Sequence, residues 1–172
     1  RAFFLLLIIL NSVSSKYNGC SFTDLSYHRK IQIVVKRFLP LCLSARKISD
    51  SLSLFSFAEC VQSDKKQKFS IYSEGNLSSY TIRSEGNKKQ YIKPPGADSY
   101  ENKILGIYPI TPEGHQMITS ETQPLCFTFL YGTDLPIESL FQACKHKGTD
   151  HNFHDSQLFE FRNLSSPIQR LY

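Results

Sequence analysis

The chain has 172 residues, a formal net charge of +5 and 41% hydrophobic residues. A chain of this length can form one domain with a hydrophobic core, and its modest positive charge permits binding to polyanions without requiring it. The sequence contains no Gly-x-Ser-x-Gly elbow, phosphate-binding glycine loop, His-Glu-x-x-His or Cys-x-x-Cys. The common enzyme classes therefore lack their signatures here.

Residues 1–15 have the pattern of a secretory signal peptide. Arg1 precedes an apolar run at residues 2–10, and the small residues Val13 and Ser15 fit cleavage before Lys16. The apolar run is about half of the roughly 20 residues that a membrane-spanning helix needs, and no later segment is long and apolar enough to cross a bilayer. We predict a secreted protein whose mature form has no membrane segment. The alternative is a buried N-terminal strand or helix.

In a secreted chain, cysteines are more readily explained by disulfide bonds than by catalysis. The five cysteines are Cys20, Cys42, Cys60, Cys126 and Cys144. Because the count is odd, at least one is unpaired within the monomer. Two Asn-Leu-Ser sequons predict N-glycosylation of Asn76 and Asn163 at solvent-exposed positions.

Residues 26–39 predict an amphipathic helix. Tyr27, Ile31 and Val34 are among the apolar residues that recur at helical spacing, and Pro40 follows them. The opposite side of this helix carries four basic residues, Arg29, Lys30, Lys36 and Arg37. They could contact phosphates, and the alternative is an ordinary solvated helix face.

The rest of the chain predicts mainly β-structure. Residues 44–64 are interpreted as a loop and a short strand. Phe69 and Ile71 alternate with polar neighbours, as do Tyr80 and Ile82, and the Ser-Glu-Gly-Asn between them predicts a hairpin. Further strands are predicted near Tyr91 and at residues 104–110, 125–131 and 135–144. Residues 145–172 are polar with scattered aromatics and are interpreted as a C-terminal tail.

The mature N-terminus, the helix, the sheet and a late cysteine together resemble a known family. Tyr17 and Cys20 begin the mature chain and Cys144 ends the predicted domain, as in the ribonuclease-like secreted effectors of powdery mildew fungi. The resemblance covers residues 16–144 and implies an α+β fold, in which one N-terminal amphipathic helix packs on a curved antiparallel β-sheet as in microbial ribonucleases. It also implies a Cys20–Cys144 disulfide and secretion, with delivery into host cells. The Tyr-x-x-Cys spacing departs from the family's Tyr-x-Cys.

The resemblance allows the sequence to be compared with the catalytic residues of ribonucleases. Their chemistry needs a general base, a His acid and a cation for the phosphate. Ile107 stands where the family's fold would carry the Glu base, and no Arg lies within residues 125–129 and no His within residues 135–143. We therefore predict a catalytically inactive protein, without cofactor or metal, that binds host RNA or a host protein. The RNA-binding candidates are the helix residues Arg29, Lys30, Lys36 and Arg37, together with Lys88, Lys89, Tyr91 and Lys93.

Two other functions remain open at this point. One is an active secreted endoribonuclease that cleaves single-stranded RNA, with His115 as acid and Glu101 or Glu113 as base. The other is a disulfide-stabilised extracellular β protein that binds a protein or a glycan. His151 and His154, three residues apart, would also suit a metal ion, but a polar tail explains them more simply.

Overall fold

The computed structural model describes residues 27–35, 40–50, 52–73, 79–87, 90–97, 103–111, 113–132, 134–147, 152–153 and 155–164. These segments form β-strands and short 3-10 turns, and they contain no α-helix. None of the described helical turns is long and apolar enough to cross a membrane. The strands are β1 (Tyr27–Val35), β2 (Leu41–Lys47), β3 (Ser53–Glu59), β4 (Phe69–Ser73), β5 (Ser79–Ser84), β6 (Leu105–Pro109), β7 (Gln116–Ser120), β8 (Leu125–Phe127), β9 (Leu135–Pro136), β10 (Phe141–Ala143), β11 (His146–Lys147), β12 (Asn152–Phe153) and β13 (Phe159–Asn163).

The segment predicted to be an amphipathic helix is strand β1, so the α+β prediction of a helix packed on a sheet is wrong. Ile31, Ile33, Val34 and Val35 are each at most 2% exposed, which means that both faces of the strand are buried. A strand buried on both faces is a nearly continuous apolar run, and part of such a run also fits helical spacing. The β-branched side chains favour the strand.

Six strands close into a barrel. The antiparallel pairs β1–β4, β4–β5, β5–β6, β6–β7, β7–β13 and β13–β1 form a complete ring. Phe69 and Phe159 are fully buried in the core, where Phe57 packs against Phe127, Phe129 and Phe159 at centroid distances of 4.9–6.3 Å. Closure leaves the ring without a free edge, unlike the open curved sheet that the ribonuclease resemblance implies.

The predicted hairpin of Phe69 and Ile82 is confirmed, since Ile71 pairs with Ile82 across β4 and β5. Residues 44–64, interpreted as a loop and a short strand, contain a loop and strand β3, but also the end of β2. Strands β2 and β3 form a hairpin of seven pairs, from Leu41↔Glu59 to Lys47↔Ser53. Alternation is weak in this Ser-rich segment, so the pairing partner rather than the local pattern defines the strands.

The segment interpreted as a C-terminal tail contains β13, which completes the barrel. Its register with β1 runs from Ile31↔Asn163 to Val35↔Phe159, and Phe159 also pairs with Gln116 of β7. Residues 159–163 therefore belong to the folded domain rather than to a tail beyond residue 144. This strand has only five residues and is partly polar, so its own sequence is a weak strand signal. Pairing with the neighbouring strands makes it part of the sheet.

The predicted disulfide bonding is confirmed, but the Cys20–Cys144 bridge is wrong. Cys144 is bonded to Cys126, and a second bridge joins Cys42 to Cys60. Both bridges span a sequence separation of 18 residues. Cys20 and the predicted signal peptide lie outside the described residues.

The strand pairings divide the domain into three repeats. Repeat 1 is residues 27–73, repeat 2 is residues 79–109 and repeat 3 is residues 116–163. Each contributes its first and last strand to the barrel. The first cysteine of each bridge has the same position in its repeat, because Val34 pairs with Cys42 in repeat 1 and Thr119 pairs with Cys126 in repeat 3.

A buried glutamine recurs with each disulfide. Gln67 donates to the carbonyl oxygen of Glu59 at 2.8 Å and accepts from the backbone N–H of Val61 at 2.8 Å, so it binds the residues on both sides of Cys60. Gln157 donates to the carbonyl oxygen of Ala143 at 3.0 Å and accepts from Lys145 N–H at 2.8 Å, on both sides of Cys144. Both glutamines are 1% exposed and end a 3-10 turn. Repeats 1 and 3 thus share one device, in which a disulfide and a glutamine hold the same chain segment.

Gly106 in β6 is a packing-sensitive position. A Cβ there would lie 2.5 Å from Oγ1 of Thr119 and 2.5 Å from Cε2 of Tyr108. We expect Gly106→Ala to lower the free energy of unfolding by about 1–3 kcal/mol, because strand and side chains must shift. Urea unfolding measures this. Gly86→Ala is the control, since its Cβ would meet nothing closer than 3.5 Å; equal losses for the two variants would contradict the packing argument.

Candidate functional site

The three repeats meet at a cleft of about 280 Å³, which we call the central cleft. It combines charged, polar, aromatic and apolar groups. Its lining residues are Asp50, Leu52 and Ser53 from repeat 1, Gln90, Tyr91, Lys93 and Lys103 from repeat 2, and Ile137 and Glu138 from repeat 3.

Hydrogen bonds and strand pairing hold the walls of the central cleft together. The buried Asn87 amide of repeat 2 donates to Ser53 Oγ at 3.3 Å and to the carbonyl oxygen of Ser49 at 3.4 Å, which fixes the tip of the β2–β3 hairpin. Lys93 Nζ lies 3.3 Å from Glu138 Oε1 and links repeats 2 and 3. Pairing of β3 with β9 links repeats 1 and 3. The walls of the cleft from all three repeats are thus linked to one another.

Tyr91 and Lys103 form a cation–π contact in the cleft. Lys103 Nζ lies 4.9 Å from the centroid of the Tyr91 ring, within the range of a cation–π interaction. Tyr91 forms an antiparallel bridge with Arg83, and the next residue, Ile92, is fully buried with its N–H donating to Ile82 at 2.9 Å. The backbone that carries the ring is therefore anchored to the barrel.

These two residues occupy the positions of the disulfide and the glutamine in the other repeats. Tyr91 pairs with the last part of β5 as Cys42 pairs with β1 and Cys126 with β7. Lys103 stands two residues before the first residue of β6, as Gln67 and Gln157 stand two residues before β4 and β13. Repeat 2 therefore replaces the stabilising device with a tyrosine and a lysine that line the cleft.

The charges around the cleft are mostly compensated. Lys47 Nζ donates to Asp50 Oδ1 at 2.5 Å and lowers the pKa of that carboxyl from its ordinary value. Glu138 faces Lys93. Within the described segments, no carboxylate lies within 4.0 Å of the Lys103 ammonium. The described part of the chain also has no group of three side chains that could hold a metal ion.

The structure places two of the predicted RNA-binding residues, Tyr91 and Lys93, in the central cleft. Arg29 and Lys30 lie on strand β1 rather than on a helix, so the predicted basic helix face is wrong. Lys36, Arg37, Lys88 and Lys89 are outside the described residues, as is the sequon residue Asn76. Binding to host RNA or to a host protein stays a prediction, and its structural premise of a helical basic surface is gone.

Two other residues named from the sequence, the glycosylation candidate Asn163 and the acid candidate His115, lie in described segments. Asn163 is solvent-exposed at the end of β13, as expected of a glycosylated residue, and its glycosylation stays a prediction. His115 Nδ1 lies 2.9 Å from Thr111 Oγ1, and its carbonyl oxygen accepts from the N–H of Ile110. These contacts place His115 in a turn between β6 and β7.

Sequence reasoning missed seven of the residues that line the cleft: Asp50, Leu52, Ser53, Gln90, Lys103, Ile137 and Glu138. None belongs to a local motif, since they come from three distant segments. A detectable signal was the repeated arrangement of two cysteines 18 residues apart followed by Gln-x-Phe, at Gln67 and Gln157. That arrangement indicates an internal repeat, from which the different middle repeat could have been found.

Comparisons with solved structures identify the class of fold. The chain is similar to a Polyporus squamosus lectin (TM-score 0.58, 16% identity, 79% of this chain and 49% of that chain). It is also similar to a designed three-fold symmetric protein, ThreeFoil (TM-score 0.58, 11% identity, 77% and 98%), and to the BEL β-trefoil (TM-score 0.52, 14% identity, 78% and 92%). The chain therefore has a β-trefoil fold.

The ribonuclease-like resemblance is wrong, because these neighbours and the closed barrel define a different architecture. The chain is a disulfide-stabilised β protein and spans about half the length of the Polyporus squamosus lectin. No family model matches the chain, and no curated protein matches it.

Proposed function

We propose that this chain is a secreted carbohydrate-binding protein that binds saccharides in the central cleft and does not alter them. The observation that carries the proposal is the position of Tyr91 on the cleft wall, between polar groups from other repeats. A sugar ring presents an apolar face bordered by hydroxyl groups, and ligand sites combine apolar surface with a few placed polar groups. Gln90 supplies the polar kind of surface and Tyr91 the apolar kind.

The fold comparison supports the same proposal. The Polyporus squamosus lectin has been solved bound to the epitope Neu5Aca2-6Galb1-4GlcNAc. A shared fold does not by itself imply a shared function, so the argument for binding depends on the cleft. The two disulfides support secretion, because such bonds persist in oxidising compartments.

The test is a Tyr91→Ala variant in a saccharide-binding assay. We expect the purified protein to bind members of an array of neutral and acidic oligosaccharides. Calorimetric titration with the strongest-binding oligosaccharide should then show an affinity at least about tenfold lower for Tyr91→Ala, which corresponds to roughly 1.4 kcal/mol. The reason is that the variant removes apolar wall surface and releases Lys103.

Tyr131→Ala is the matched control, because Tyr131 is 87% exposed and does not line the cleft. Its affinity should equal that of the wild-type protein. A folded protein that binds no saccharide on the array would contradict the proposed function. A loss of affinity in Tyr131→Ala but not in Tyr91→Ala would move the binding site away from the central cleft.

A further inference from the structure

We infer that the central cleft selects glycans that carry an acidic group, a carboxylate or a sulfate ester, and that Lys103 binds this group. The inference rests on the proposed carbohydrate binding and adds the chemical class of the ligand. It follows from the charge around the cleft, the surroundings of the ammonium group, and the difference between repeat 2 and the other repeats.

With Lys47 beside the cleft included, three lysines face two carboxylates, so one cation is in excess. Asp50 is paired with Lys47 and Glu138 with Lys93, which accounts for both carboxylates that line the cleft. Lys103 has no carboxylate within 4.0 Å among the described residues, and its described partner is the ring of Tyr91. A group of this kind attracts an anion, because the ring leaves the positive charge of the ammonium in place.

The Tyr91 ring also holds the ammonium in position. A lysine side chain has about 2 kcal/mol of rotamer entropy, part of which is lost when the ammonium binds a ligand. A lysine already packed against an aromatic ring has less of this freedom to lose, so anion binding is more favourable. Lys103 is half-buried at the wall of the cleft, where screening by salt is weaker than at an open surface.

The residues at the equivalent positions of the other repeats have a different role from Lys103. Gln67 and Gln157 stabilise their repeats by hydrogen bonds to backbone groups on both sides of a cysteine. Repeat 2 has a cationic side chain at this position, directed to a cleft that the other two repeats also line. A position that is structural in two repeats and faces a cleft in the third is a candidate for ligand recognition.

The experiment compares two matched glycan pairs. One is the sialylated trisaccharide Neu5Acα2-6Galβ1-4GlcNAc with Galβ1-4GlcNAc, and the other is 6-sulfated with unsulfated Galβ1-4GlcNAc. We expect the wild-type protein to bind the acidic member of at least one pair about tenfold more tightly at low salt, with the preference decreasing as salt increases. If the preference occurs in just one of the two pairs, that pair identifies the acid as a carboxylate or a sulfate.

Lys103→Gln tests the residue, since glutamine occupies the equivalent position in the other repeats. We expect it to abolish the acidic preference, because the affinity for the acidic member should fall about tenfold more than the affinity for the neutral member. Lys66→Gln, an exposed lysine that does not line the cleft, should keep the preference.

The possible outcomes separate the two proposals. Equal binding of the acidic and neutral members by the wild-type protein would overturn this inference and leave the proposed function in place. An unchanged preference in Lys103→Gln would also overturn it. If the wild-type protein binds none of the four glycans and no saccharide on the array, the proposed function itself fails.

Discussion

Removing the Cys126–Cys144 bridge by a Cys126→Ser and Cys144→Ser double substitution is expected to lower the free energy of unfolding by about 3 kcal/mol. The two cysteines are 18 residues apart, and a crosslink of that span restricts the unfolded chain by this amount in the chain-entropy model. Chemical unfolding of the oxidised wild-type protein and of the variant measures the difference. Both cysteines are replaced so that no new free thiol can form other bonds.

The Cys42–Cys60 bridge provides a matched comparison. Its sequence separation is also 18 residues, so its removal should cost nearly the same if the unfolded state carries the effect. If each double variant lost less than about 0.5 kcal/mol of unfolding free energy, the bridges would have no structural role. Natural domains are typically stable by about 5–15 kcal/mol, so losing both bridges, about 6 kcal/mol together, should remove a large part of the stability.

Replacing Gln67 with leucine is expected to lower the free energy of unfolding by about 3 kcal/mol or more. Three polar groups then lose their hydrogen-bond partner, and each unsatisfied buried group costs about 1–3 kcal/mol. These groups are the carbonyl oxygen of Glu59, the N–H of Val61 and the amide of Gln32, which donates to Gln67 Oε1 at 3.0 Å. Urea unfolding monitored by circular dichroism gives the value. Gln157→Leu should behave in the same way, since Gln157 binds Ala143, Lys145 and Thr128.

Gln142→Leu is the control for this prediction. The Gln142 amide donates to Ser139 at 3.0 Å, but it is solvent-exposed, so water can replace the lost hydrogen bond. Its effect should remain within about 0.5 kcal/mol. If Gln67→Leu were as mild as Gln142→Leu, the glutamines would not be the stabilising device that repeats 1 and 3 share.

The prediction of the helix failed for a physical reason that can be seen at β1. Ile31, Val34 and Val35 fit helical spacing, but Ile33 is just as buried, and no single helix face can bury all four. β1 is covered on both sides and pairs with β2, β4 and β13. Those contacts come from strands up to the far end of the domain, so residues 26–39 alone contain no information about them.

Part of the candidate site could be predicted from sequence. Tyr91 and Lys93 were identified as an aromatic residue and a cation close together in sequence, and both line the cleft. Lys103 and Glu138 were not, because their proximity depends on how repeats 2 and 3 pack. The reading of Tyr91 as a base-stacking residue for RNA depended on a basic helix that the fold does not contain.

The sequence by itself determined the features that depend on neighbouring residues: the β4–β5 hairpin, the central strand β6 and the presence of disulfide bonds. Only the tertiary structure decided which cysteines pair, how β13 closes the barrel and which side chains meet in the central cleft. Strand propensities and turn residues act over a few positions and leave a local pattern. Closure and the cleft depend on contacts between distant segments, such as Ile31 with Asn163, 132 residues apart, whose energies no local pattern records.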